Sequence, residues 1–224
     1  MIPLRDYNPS SSRPVVTILL ILACTAVFLY TTYGLSSAAA GERFVLTYGA
    51  TPAVLAAPGG LVTAAPTLVT SLFPHGGWLH LLGNMLYLWI FADNVEDRMG
   101  HGGFLIFYLL VGVVSVLTHA FVNRASTLPL IGASGAIAGV LGAYLVLFPR
   151  ARIRSLAFIG FFFTTVAIPA IVFLPLWFLM QFFFGLGSIG TGGGGVAWWA
   201  HIGGFLAGMV LVLIFARRRP RSGE

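Results

Sequence analysis

Four polar side chains stand inside otherwise apolar stretches of the chain: His80, Asn84, Ser134 and His201. A serine hydroxyl becomes a nucleophile when an adjacent base can take its proton, and imidazole is well suited to the task. His80 and Asn84 are four residues apart, so on a helix they share one face. A pair placed in that way can also simply bridge two helices through hydrogen bonds. There is no HExxH pattern, so metal chemistry has little support, and no cofactor is implied.

The composition says what must hold these residues in place. Of 224 residues, 58% are hydrophobic and only 8% are charged, against about 25% charged in soluble domains. Too little charge is present to cover a soluble surface, and disorder requires the opposite balance. The chain therefore reads as an integral membrane protein. All basic residues are arginine, 12 against six acids. They adjoin apolar runs, which points to anionic lipid headgroups as partners, and not to nucleic acid. Cys24 is the sole cysteine, so no internal disulfide exists.

A spanning helix needs about 20 mostly apolar residues. Six runs qualify, at 15–35, 78–95, 103–121, 133–148, 168–184 and 197–216. The fifth belongs to a longer uncharged stretch whose β-prone first third, 157–166, is expected at the interface or dipping into it. Pro169 and Pro175 are positioned to kink the span that follows. Residues 5–40 imitate a signal peptide, but the apolar core exceeds an h-region of about 7–15 residues, so the first helix is expected to stay. The expected fold is an all-α membrane protein, a six-helix bundle with a long interfacial first outer loop (36–77), forming one domain over 1–224.

With six spans, Arg5, Arg13, Arg98, Arg150, Arg152, Arg154 and the four arginines at 217–221 share one side, leaving Arg43 and Arg124 on the other. The positive-inside rule then puts both termini in the cytoplasm, and a bacterial plasma membrane is expected. The even-numbered helices all enter from the outer face. His80, Asn84, Ser134 and His201 fall within about two turns of those entries, some 11 Å of rise, and so share one depth. Gly135, Gly139 and Ala143 form a stripe of small residues on the fourth helix; Ala200, Gly204 and Gly208 form another on the sixth. Packing the two stripes together would bring Ser134 to His201.

Of the acids, Asp6, Asp93, Glu96, Asp97 and Glu224 fall on the cytoplasmic side, and Glu42 in the first outer loop. No carboxylate is left to orient His201, so a hydrolase here would use a dyad. The 93–98 cluster reads as a solvated helix end, His75, His101 and His119 as interfacial, and Gln181 as a helix–helix hydrogen bond.

The ordered pieces His75-Gly-Gly-Trp-Leu-His80-Leu-Leu-Gly-Asn84, Asp93-Asn-Val-Glu-Asp-Arg-Met-Gly100, Gly132-Ala-Ser134-Gly135 and Ala200-His201-Ile-Gly-Gly-Phe-Leu-Ala-Gly208, with Trp177 and Gln181, resemble the rhomboid intramembrane serine proteases. The resemblance covers about 17–217. It implies that Ser134 is the nucleophile, His201 its base, and that His80, Asn84 and the Ser134 backbone N–H form an oxyanion hole. It also implies single-pass membrane proteins as clients. Two departures stand out. Where some members carry a Tyr packed on the histidine, this chain has Ala138, which leaves Trp198 or Trp199 to hold the ring. The Trp-Arg pair that some members carry in the first outer loop is absent. Residues 185–196, with four consecutive glycines, resemble a mobile lid. A non-catalytic rhomboid-like binder of client helices is the alternative, and a transporter is a weaker one, because no acid or arginine sits in a span core.

Overall fold

The computed structural model describes residues 2–159, 162–189 and 196–216. A short strand, β1 (Ile2–Asp6), precedes α1 (Val15–Leu29), which runs on into a π-helical turn, Tyr30–Gly34. Four short helices fill the first outer loop: α2 (Ala38–Tyr48), α3 (Pro52–Ala56), α4 (Gly60–Thr63) and α5 (Thr67–Thr70). Then come α6 (Trp78–Met99), α7 (His101–Val122) and α8 (Ser134–Leu147). A hairpin of β2 (Arg152–Ile159) and β3 (Phe162–Pro169) leads into α9 (Ala170–Gly187), and α10 (Trp198–Phe215) closes the described chain.

The protein is an integral membrane protein. Among the described residues, four helices are long and apolar enough to cross a bilayer: Val15–Gly34, α7, α9 and α10. The other two expected spans fall outside that set for different reasons. The last turns of α6 carry Asp93, Glu96, Asp97 and Arg98, and α8 has only 14 residues, a rise of about 21 Å.

The all-α expectation is corrected by a three-stranded antiparallel sheet in the order β1-β2-β3. The β-prone segment is longer than 157–166, because Arg152–Ile159 and Phe162–Pro169 pair residue for residue. The chain's first residues join as a third strand, which no periodicity announced. Aromatic and β-branched residues favour that pairing, and Pro169 ends β3 and stands immediately before α9. The first outer loop is helical but interrupted, as its Ala, Pro and Gly content suggests. Its backbone pairs with the segment before α8: Ala50 and Leu130 exchange two hydrogen bonds, and Gly132 N–H donates to Ser71 O at 2.8 Å.

At the centre lies α8, buried without interruption from Gly135 to Tyr144. Its glycine face meets that of α10 backbone to backbone. A β-carbon on Gly204 would lie 2.0 Å from Gly135 O, and one on Gly208 would lie 1.9 Å from Gly139 O. The stripes expected from sequence are therefore the contact itself, and no larger residue fits.

The end of the bundle that carries 93–98 contradicts the solvated reading of that cluster. Glu96 is fully buried and accepts from Val16 N–H (2.9 Å), Thr17 N–H (2.8 Å) and Thr17 Oγ1 (2.7 Å). A carboxylate from α6 thus satisfies the first turn of α1, where helix amides lack partners and the dipole favours negative charge. His101, which is exposed, reaches the same carboxylate at 2.6 Å. Beside it, Asp6 accepts from Tyr144 of α8 (2.5 Å) and Asn94 of α6 (3.0 Å), so β1 is tied to two helices.

Two predictions follow from this packing. Gly208→Ala should destabilise the protein by about 1–3 kcal/mol, because the methyl meets backbone that cannot rotate away; detergent thermal unfolding would register it. The second concerns Asp6, whose pKa is raised to about 6, chiefly by burial and then by the Asp93 charge. Its folded value lies above its unfolded one, so its stabilising contribution is complete below about pH 4 and lost as pH rises through 6. Allowing for the solvent that still reaches it, about 1–2 kcal/mol should disappear over that window. Asp6→Asn should flatten the pH dependence of the unfolding midpoint there.

Candidate active site

Each polar residue singled out in the sequence occupies the first two turns of a helix. His80 and Asn84 lie on α6, Ser134 is the first residue of α8, and His201 lies in the first turn of α10. The α8–α10 contact brings the last two together: Ser134 Oγ lies 2.8 Å from His201 Nε2. His201 Nδ1 lies 2.7 Å from Gln181 Oε1 of α9. A carboxamide oxygen can only accept, so Nδ1 carries the proton and donates it to Gln181. Nε2 then presents a lone pair to the serine hydroxyl, the tautomer a general base requires.

Gln181 thus stands beside Nδ1, where no carboxylate lies among the described residues. The expected helix–helix hydrogen bond is present, and its partner is the imidazole. The ring is also flanked by two aromatic residues. Trp177 lies 6.0 Å away at 35°, one turn before Gln181 on α9, and Trp198 meets the ring edge-on at 6.3 Å. Trp198 thus takes part of the role expected of Trp198 or Trp199, and Trp177 supplies the flatter contact. The spacing of Trp177 and Gln181, i and i+4, was the signal that both face one neighbour.

His80 and Asn84 face the same space. Asn84 Nδ2 donates to His80 O at 2.9 Å, which fixes the amide so that its oxygen and second N–H remain available. His80 Nδ1 accepts from Gly76 N–H at 3.3 Å, leaving Nε2 as the protonated nitrogen. That end of the ring packs on Gly132, where a β-carbon would lie 2.6 Å from both Cε1 and Nε2. Gly132 also has φ +113°, a conformation that L side chains rarely adopt. This glycine turns the chain into α8 two residues before Ser134 and admits His80 to the serine. Being first in α8, Ser134 has a backbone N–H with no intrahelical acceptor, in the positive end of the helix dipole.

These groups border one cavity of about 770 Å³, lined by His80, Asn84, Ser134, His201 and Trp177 and rimmed by Leu128 to Ile131. Two histidines read as interfacial belong here as well. His119 lines the cavity. His75 is buried, with its ring centroid 5.0 Å from that of His80 and its Nδ1 donating to Phe73 O at 2.9 Å. Burial, with the His80 neighbour, lowers its pKa to about 4, so His75 is neutral at physiological pH. Residues 190–195, half of the lid expected at 185–196, lie outside the described residues. No group of three or more His, Cys, Asp or Glu side chains that would suit a metal ion exists among the described residues.

A helix bundle in a membrane thus holds a hydroxyl and an imidazole in contact at the border of one cavity. The chain belongs to the rhomboid family: a Rhomboid domain matches residues 62–218. It is similar to the mitochondrial presenilin-associated rhomboid-like protein of Homo sapiens, 31% identical over 183 residues, covering 73% of this chain and 42% of the relative. It is 34% identical over 157 residues to the Rhomboid protease GluP of Bacillus subtilis, covering 70% of this chain and 27% of that protein. Mitochondrial Rhomboid protein 1 of Saccharomyces cerevisiae is 34% identical over 101 residues, covering 43% and 29%. The chain thus spans well under half the length of these relatives.

Gln181 offers a direct test of the geometry. Gln181→Leu keeps the bulk and removes the acceptor, so a buried N–H is left unpaired and the imidazole is free to take the wrong tautomer. The rate at which Ser134 reacts with a fluorophosphonate should fall about tenfold to a hundredfold, and Gln181→Glu should recover most of it. Unchanged labelling by Gln181→Leu would remove the orienting role.

Proposed function

We propose that the chain is an intramembrane serine endopeptidase that cleaves membrane-protein clients within or just outside a transmembrane segment, near the outer face. The observation that carries this reading is the 2.8 Å contact from Ser134 Oγ to a His201 Nε2 whose tautomer is set by Gln181. Ser134 attacks the scissile carbonyl carbon while His201 takes the hydroxyl proton. The C–N bond then breaks as His201 returns that proton to the leaving amine, and water hydrolyses the acyl-enzyme by the same base. Negative charge on the carbonyl oxygen is met by Ser134 N–H, His80 Nε2–H and the Asn84 amide.

In this reading 1–224 acts as one membrane domain with six spans. The short α8 is tolerable because protein surrounds it, so it need not match the lipid thickness. The charged end of α6 lies in the cytoplasmic interface, where Glu96 is satisfied by α1. The arginine distribution supports cytoplasmic termini in a bacterial plasma membrane. That puts the cavity at the outer leaflet, where water can reach it. The clients proposed are single-pass membrane proteins, and lipids are the surrounding partners. No cofactor is needed, because every proton-transfer and charge-stabilising group is supplied by the chain.

Intact-mass analysis of detergent-purified protein after fluorophosphonate treatment tests the chemistry without a known client. One adduct per chain should form on the wild type and none on Ser134→Ala or His201→Ala. Asn84→Ala should still label, about 10²-fold more slowly, since one of several donors is lost. Full labelling of Ser134→Ala would refute the nucleophile. A wild type inert in both detergent and bilayers would favour a binder of client helices.

A further inference from the structure

The sheet on the cytoplasmic side has no part in the chemistry above, and its two ends differ in character. Cross-strand partners share a face, so the register places Arg5 and Arg154 on one face, with Ile2, Leu156, Phe158 and Phe163 further along it. Arg152 lies two residues from Arg154 on β2 and shares that face. The opposite face of β2 is buried at Ile153, Ser155 and Ala157, so the arginine face is the free one. Asp6 is paired with Ile153 and belongs to the other face, which leaves the three arginines without an acid among them on the described sheet.

Beyond β1 the hairpin overhangs. Phe158 is 64% exposed, Phe162 78% and Phe163 73%, and the Phe158 and Phe163 rings pack across the strands at 5.1 Å. Adjacent exposed phenylalanines at the far end of paired strands are the pattern of a surface that meets something apolar. Two further features identify the partner. The hairpin is continuous with α9, a lipid-length helix, through Ala170 N–H to Ala151 O (2.8 Å) and Ile171 N–H to Pro149 O (2.9 Å). Its base therefore sits where a spanning helix leaves the bilayer. Its polarity also runs from cationic at that base to aromatic at the tip, as required of an element entering a leaflet obliquely.

We propose that the β2–β3 hairpin is a second membrane anchor, with its phenylalanine tip in the headgroup–acyl boundary and Arg5, Arg152 and Arg154 on the phosphates of anionic phospholipids in the leaflet that faces the termini. Only the tip enters, because the outer edge of β3 is unpaired and cannot sit in hydrocarbon. Thr164 and Thr165 on that edge remain at headgroup level. The anchor holds the cytoplasmic end of α9 at a constant depth, independently of Ser134.

The test is depth-dependent quenching on the full chain in vesicles. Phe163→Cys is labelled with an environment-sensitive fluorophore, and Phe162→Cys serves as a second site should the first fold poorly. Cys24 is fully buried, and intact mass verifies one label per chain. In vesicles of phosphatidylcholine with phosphatidylglycerol, an acyl-chain quencher should quench the probe and aqueous iodide should not. Arg152→Gln with Arg154→Gln, or omission of phosphatidylglycerol, should shift the inserted fraction toward iodide access, by about fivefold per arginine lost. Iodide quenching in every lipid would overturn the anchor. Acyl-chain quenching indifferent to lipid charge and to both substitutions would overturn the anionic partner. Protection from both quenchers would instead indicate pairing of β3 with a second copy, and would also overturn it. Fluorophosphonate labelling of Ser134 should be unaltered in the variants, so failure of the anchor is distinguishable from failure of the protease reading.

Discussion

The contact on which the rest depends is the one between α8 and α10, where two glycine faces touch with no side chains between them. A β-carbon at Gly204 or Gly208 would lie within about 2 Å of a carbonyl oxygen across the interface, so the helices can occupy only one register and one separation. Within a membrane the hydrophobic effect does not favour such an approach, since lipid tails are as apolar as any side chain. Shape complementarity has to supply it. Its consequence is positional: residues at the starts of two helices, 67 positions apart in sequence, are held at hydrogen-bond distance. A reactive pair built in this way needs little help from loops.

The third participant is held quite differently. Gln181 comes from α9, of which only Ala170, Phe173, Leu174, Gln181 and Gly185 are buried, and Pro175 removes one backbone donor from its interior. The Ser134–His201 pair is thus set by rigid packing, whereas the group beside Nδ1 rides on one of the two least enclosed spanning helices among the described residues. Movement of the outer half of α9 would change both access to the cavity and the state of His201, through Trp177 and Gln181 together. In the proposed reading, reactivity and substrate entry are coupled through one element, and the coupling has a defined chemical carrier, the Nδ1–H to Oε1 bond.

Much of this was legible in the sequence, and the reason is physical. Spanning helices show as long apolar runs, close helix contacts as stripes of small residues, and polar groups in hydrocarbon as exceptions that need a cause. Ser134, His201, His80 and Asn84 stood out because the surroundings made them costly. What stayed hidden was of another kind. Glu96 looked like a solvated charge because nothing local reveals that the first turn of α1 sits on it. His75 looked interfacial because its burial beside His80 is a tertiary event. The pairing of β1 with β2 joins residues some 150 positions apart and leaves no periodic trace, and so the all-helical expectation failed at that point.

The same distinction explains how the two ends of the bundle divide the work. At the end that holds Ser134 and His201, helix N-termini border a cavity, and in the proposed reaction their dipoles would stabilise the charge that develops. At the inner end, the corresponding amides of α1 are already satisfied by Glu96, and Asp6 ties β1 to α6 and α8. In the proposed reading, charge fixes geometry at one end and is left free for chemistry at the other. Because α8 runs from Ser134 to the Tyr144 that binds Asp6, the fastened end also fixes the depth at which the hydroxyl stands. A helix of 14 residues can do both only because neither of its ends has to meet the lipid alone.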